Sequence, residues 1–337
     1  MTAPSGNAPS RRAVRNCGQI AQESVHIAPL GEENALSIAV IGCTSVDVLV
    51  RDVDALPPPG TDNTVEEISV RAAGPALNVA FVVHALGDGP AVCFGAIGDD
   101  PLASMVRDEC ADRGVPTHGL ARRSGERTGV SVALESRTRP RAFLTDLGAA
   151  AHLDESLVPD SFVGYTDVLL AGYFVAPGLR GDASARILRR ARADGARTWL
   201  DPGWDTDSWT SGGADEIRRL LPEVDFFLPN TDEIAPLTGA SDPVAGGREL
   251  AKLTRVGVVL KAGADGAYWI ARDAEPLHVA APVVPVVDTT GAGDALNAGV
   301  IVGLRQGLSI ENSVILGVET ASTIVGRTSA RRWDPLT

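Results

Sequence analysis

Seven residues, Asp288-Thr289-Thr290-Gly291-Ala292-Gly293-Asp294, have the types and spacing to do chemistry, and residues 295–300 after them read as a helix. Glycines at such a junction let the backbone approach a ligand and leave N–H groups without intrahelical partners. A helix N-terminus adds partial positive charge, so the junction suits an anion such as a phosphate. Asp294 is out of place there unless it has another task. It could take a proton from a hydroxyl while the N–H groups of Gly291, Ala292 and Gly293 hold developing phosphoryl charge. It could equally cap the helix. Residue types alone leave both open.

The elements that must position this stretch follow from hydrophobic patterning. Strands are expected at 37–41, 65–70, 91–97, 168–170, 198–201, 224–228 and 256–260, with a β-rich run at 283–287. Helices are expected at 75–86, 101–113, 183–193, 215–221 and 243–253. That alternation predicts an α/β fold, a three-layer α-β-α sandwich with a mainly parallel central sheet. Two further β runs, 129–135 and 141–146, flank a polar, Arg-rich turn and predict a hairpin. With the 65–70 strand they would form a small β lid, drawn from segments around 49–72 and 128–147. In such folds ligands bind beyond the carboxyl ends of the strands. Asp47, Asp201, Asn230, Lys261 and Asp288 all fall at or just after expected strand ends.

Residues 35–330 are expected to form one domain, flanked by a disordered tail at 1–34 and a C-terminal tail at 331–337. The net charge of −13 argues against a general binder of nucleic acid or anionic membrane. No apolar run can span a bilayer, because Glu319 interrupts the best candidate at 314–325. Residues 16–23 are too polar for the core of a signal peptide. Cys17, Cys43, Cys93 and Cys110 form no C-x-x-C pair, which fits reduced thiols in the cytoplasm better than a zinc or disulfide framework.

The Asp288–Asp294 stretch, together with Asn297, matches the D-T-x-G-A-G-D signature of the ribokinase-like (PfkB) carbohydrate kinases at every fixed position. Ala73-Gly74-Pro75-Ala76-Leu77-Asn78 resembles that family's N-terminal Gly-Gly motif, with Ala73 in place of the first glycine. Gly42 to Asp47 is similar to its first strand end, Asn230-Thr231-Asp232-Glu233 to its N-x-x-E element, and Lys261 to Gly266 to its K-x-G-x-x-G turn. The Asp201-Pro202-Gly203-Trp204 stretch is similar to a further strand end, without the usual asparagine and arginine. The resemblance runs from about residue 37 to 326.

It implies a ribokinase-like fold and transfer of the ATP γ-phosphoryl group to an alcohol, with Asp294 as base and Gly291–Gly293 as anion hole. Asp47, Gly74 and Asn78 would bind the acceptor. Asn230, Glu233, Lys261, Gly263, Gly266 and Asn297 would serve the nucleotide, and Glu233 would hold Mg²⁺ through water. Asp288 and the Thr290 carbonyl would take a monovalent cation such as K⁺. Two copies could pair through the lid. The expected acceptor is the primary hydroxyl of a small sugar; a nucleoside kinase of the same fold is the alternative, and a silent sugar- or nucleotide-binding regulator the third reading. A dinucleotide-dependent dehydrogenase is disfavoured, because Gly42-Cys43-Thr44-Ser45-Val46-Asp47 lacks the glycines of G-x-G-x-x-G.

Overall fold

The computed structural model describes residues 37–136, 138 and 141–336, all within one folding unit. The tail expected at 1–34 lies outside the described residues. In chain order the first half contains β1 (Ser37–Gly42), β2 (Ser45–Val50), β3 (Ile68–Ala73), α1 (Pro75–Ala85) and β4 (Ala91–Ile97). There follow α2 (Pro101–Asp112), β5 (Leu120–Arg122), β6 (Gly129–Leu134) and β7 (Ala142–Asp146). The second half runs β8 (Tyr165–Ala171), α3 (Asp182–Ala193), β9 (Arg197–Asp201), α4 (Gly213–Leu220), β10 (Phe226–Phe227) and α5 (Thr231–Thr238). It ends with α6 (Pro243–Ala251), β11 (Gly257–Lys261), β12 (Ala267–Ala271), β13 (Leu277–Val279), α7 (Ala292–Arg305) and α8 (Ile310–Val325).

The large sheet has the order β13-β12-β11-β10-β9-β8-β1-β4-β5, parallel from β11 to β5 and closed at one edge by an antiparallel β12–β13 hairpin. Strands covered on both faces read as continuous apolar runs, as in β4, where every residue is buried. One core packs α1, α2, α7 and α8 against one face, and the other packs α3 to α6 against the opposite face. Helix α7 is buried from Ala295 to Leu304. It crosses α8 so closely that a Cβ on Gly299 would come within 2.7 Å of Gly317 Cα.

A separate four-stranded sheet, β3-β2-β6-β7, forms the lid expected from the sequence, with β6 and β7 as its antiparallel hairpin. Three expectations change. Asp47 sits within β2 of the lid, not at the end of a central strand, because the chain re-enters a strand directly after Cys43-Thr44. The β-rich run at 283–287 is not a strand. Its Val283 side chain is fully exposed, and Val287 and Asp288 instead donate their N–H groups to Val325 O at the end of α8. Nor do residues 331–336 of the expected tail hang free: Arg332 and Trp333 are buried, and Trp333 packs on Phe81 of α1 at 5.8 Å between ring centroids.

Candidate active site

Gly291 takes a left-handed conformation, φ +72°, and turns the chain into α7. A side chain there would also crowd Asn78 and Trp333, each within 3.4 Å of a built Cβ. Asp294 lies in the first turn of α7. Asn78 lies in the first turns of α1, where Gly74 (φ +101°) and Pro75 start the helix; a Cβ on Gly74 would strike Cys43 O at 2.5 Å. The two helix starts meet at one hydrogen bond, Asn78 Nδ2 donating to Asp294 Oδ2 at 2.8 Å. Burial pushes the Asp294 carboxyl up to about 7, with the negative Asp201 adding to the rise and Asn78 and Lys261 opposing it. A carboxylate with that poise can accept a hydroxyl proton near neutrality. Of the three N–H groups expected in the anion hole, that of Ala292 donates to Thr289 O at 3.2 Å. Those of Gly291 and Gly293 are left for a ligand among the described residues.

Beneath the turn lies a polar group that sequence reasoning did not assemble. Asp201 ends β9 and Lys261 ends β11, and Lys261 Nζ donates to Asp201 Oδ2 at 2.7 Å. Asn297 Nδ2 reaches the same oxygen at 2.5 Å, and Gly203 N donates to Asp201 Oδ1 at 3.0 Å. Burial works against the Lys261 charge, but Asp201 and Glu233 outweigh it and raise the pKa of the ammonium. Nζ would stand 3.6 Å from a Cβ built on Gly293, which puts a fixed positive charge behind the anion-binding turn. Asn297 is fully buried. Its amide is directed at Asp201.

Asn230 and Glu233 form a reciprocal cap at the start of α5. Asn230 Oδ1 accepts from Glu233 N at 3.0 Å, while Glu233 accepts from Asn230 N at 2.8 Å and from Asn230 Nδ2 at 2.9 Å. Burial pushes Glu233 up to about 7 against the pull of Lys261. Both Glu233 oxygens are engaged and no cluster of three metal-ligating side chains exists among the described residues. The pair therefore fits an ion that keeps its own water shell, as Mg²⁺ does, and not a direct protein cage. Gly263 and Gly266 shape the turn between β11 and β12. Gly266 is needed for packing, since a Cβ would lie 2.0 Å from Val279 O; Gly263, at φ +58°, faces open space.

On the lid, Asp47 stands directly opposite Arg71 of β3 and Ser131 of β6. Burial pushes its carboxyl up to about 6, opposed chiefly by Arg71. Asp288 is fixed by three arginines. Arg71 Nη1 and Arg332 Nη1 donate to its Oδ2 at 3.2 and 2.9 Å, and Arg141 Nη2 to its Oδ1 at 3.0 Å. Arg332 also donates to the carbonyls of Asp288 and Thr290, and Arg141 to the Thr290 hydroxyl. Despite burial, Arg332 and Arg71, with hydrogen bonds from Thr290, hold Asp288 down at about 2. The oxygens expected to take K⁺ are thus occupied by guanidinium, and the residues present do not fit a free monovalent ion. Sequence reasoning missed Arg71, Arg141 and Arg332. The Arg-rich hairpin turn and the Arg331-Arg332 pair were the only signals.

Known proteins resemble the chain along most of its length. The model of the pfkB family carbohydrate kinases matches residues 35–335. A 1-phosphofructokinase of Haloferax volcanii is 28% identical over 282 residues, 82% of this chain and 86% of that protein. A ribokinase of Haemophilus influenzae is 25% identical over 308 residues, 89% of this chain and 95% of its own length. The crystal structure of an adenosine kinase from Sinorhizobium meliloti superposes with a TM-score of 0.75 at 25% identity, covering 87% of this chain and 95% of that one.

Proposed function

Because the chain belongs to the pfkB family of carbohydrate kinases, we propose that it transfers the γ-phosphoryl group of ATP to a primary hydroxyl of a small sugar, with Asp294 as general base. The observation that carries this is the carboxyl poised at about 7, held by Asn78 at the mouth of α7 and backed by Lys261. Asp294 takes the hydroxyl proton as the acceptor oxygen bonds to the γ-phosphorus. The bond from that phosphorus to the bridging oxygen breaks, and ADP leaves with the electron pair. The Gly291 and Gly293 N–H groups and the Lys261 ammonium hold the charge spread over the γ-oxygens. Asp47, Gly74 and Asn78 would line the acceptor side, where a carboxylate can accept hydrogen bonds from two hydroxyls. Mg²⁺, when bound with ATP, would neutralise phosphate charge, and Asn230 and Glu233 would hold it through water. Gly263 and the turn to Gly266 would border the nucleotide.

A nucleoside acceptor is the second reading, favoured by the likeness to the Sinorhizobium meliloti adenosine kinase. An ATP-consumption screen over hexoses, pentoses, keto-deoxy acids, polyols and nucleosides tests both. Turnover with sugars supports the proposal, and turnover with nucleosides alone replaces it by the second. Silence across the panel with ATP still bound would leave a binding regulator.

The reading extends to assembly and setting. The outward face of the lid carries two cross-strand rows, Val70-Val48-Val132-Leu144 and Ile68-Val50-Leu134-Ala142. Ile68 (60%), Val70 (50%) and Leu144 (66%) are exposed on it. An apolar face of that extent on a thin sheet supports pairing with a second copy through the lid. A cytoplasmic setting, where ATP is supplied, goes with this activity; no described helix is long and apolar enough to cross a membrane.

A further inference from the structure

Arg332 is among the largest fully buried side chains of the protein. Its guanidinium meets three converging oxygens: Asp288 Oδ2 at 2.9 Å, Asp288 O at 3.2 Å and Thr290 O. Oxygens that point at one spot repel one another unless a cation stands between them, and in a buried place that repulsion is weakly screened. A planar guanidinium with a rigid fork of donors can satisfy a carboxylate and two carbonyls together. Burial lowers the Arg332 pKa to about 10, so the group stays charged at neutral pH. Arg71 and Arg141 approach the same carboxylate from the lid, on β3 and beside β7. Arg332 alone of the three comes from the body, where its neighbour Trp333 is seated on Phe81.

We infer that Arg332 is the built-in counter-cation of the Asp288–Gly293 turn, standing where a monovalent ion was expected, and that the enzyme is indifferent to K⁺. Arg332 directs its guanidinium at Asp288 and the Thr290 carbonyl. It is a positioning residue, acting on the N–H groups of Gly291 and Gly293 through Asp288 and the Thr290 carbonyl. The consequence for phosphoryl transfer rests on the proposed function; the consequence for the turn does not.

The test is thermal unfolding without any acceptor, in KCl and in tetramethylammonium chloride at equal ionic strength. Wild type should melt at the same temperature in both salts. Arg332→Met should melt at least about 5 °C lower in tetramethylammonium, the scale expected when one partner of a buried ion pair is removed while Arg71 and Arg141 remain. K⁺, small enough to enter the vacated site, should restore much of that loss. Arg332→Lys should fold and remain insensitive to K⁺. A wild-type melting point that rises specifically with K⁺ overturns the inference. So does an Arg332→Met protein equally weakened in both salts, which would make the guanidinium a space-filler. If Arg332→Met does not fold in either salt, wild type and Arg332→Lys decide, the latter counting against the inference if it gains a K⁺ response. Because no acceptor is present, failure here is distinct from failure of the sugar screen.

Discussion

Asn78 Nδ2 and Asp294 Oδ2 are 2.8 Å apart, so the starts of α1 and α7 converge on one carboxylate. Burial and Asp201 push the proton onto Asp294, while Asn78 and Lys261 pull it off. The outcome, about 7, lies between an ordinary surface aspartate and a permanently neutral acid.

Asp294→Asn should fold and bind ATP yet lose at least about a hundredfold in kcat, the low end for a general base. A carboxyl whose pKa is raised on folding destabilises the fold increasingly as pH climbs from its unfolded value towards 7. The variant should therefore melt higher than wild type at pH 8 and gain little near pH 4. Calorimetry at both pH values, beside turnover, checks this. Wild-type turnover would remove Asp294 from the mechanism.

Asn78→Ala removes a hydrogen bond that favours the ionised form of Asp294. The kcat/KM profile of the wild type should rise through about pH 7. In the variant that limb should move to higher pH by roughly one unit, the equivalent of one hydrogen bond to a charged group. A limb that stays in place, with activity merely scaled down, would show that Asn78 does not tune the base.

Asp47→Ala should raise the acceptor KM by about tenfold or more and leave the ATP KM within about twofold, as expected for lost hydroxyl contacts. Steady-state kinetics with each substrate varied in turn separates the two. Equal effects on both would take Asp47 out of the acceptor site.

Val70→Glu with Leu144→Glu places charges on the outward lid face, about 50% and 66% exposed at those residues. Sedimentation should show a dimer for wild type and a monomer for the double variant. A wild type that is monomeric at micromolar concentration ends the pairing proposal.

The Asp288–Asp294 turn was legible because its chemistry is local: glycines, an acid and a helix start lie within seven residues. The lid hairpin was legible for the same reason, through two short β runs flanking a polar turn. Asp201 was visible as a strand-end acid, but its link to Lys261 and Asn297 spans 60 and 96 residues. No local pattern encodes such a contact. Arg332 was hidden for a further reason, because a C-terminal arginine is ordinarily a solvated charge and only the fold shows it buried on Asp288. The run at 283–287 misled in the opposite direction, since its β-branched residues suit a strand, yet Val287 and Asp288 donate their N–H groups to the end of α8.

The close crossing of Gly299 and Gly317 leaves the helix that carries Asp294 no room for a side chain at its back. A Cβ built on Gly299 would stand 2.7 Å from Gly317 Cα, so any larger residue there would push α7 away from α8. Asp294 rests on that packing as on an anvil, with the lid sheet as the hammer. Evolution of this enzyme toward new acceptors would then proceed by reshaping the hammer, because even one methyl group added at position 299 would tilt the anvil for every substrate alike.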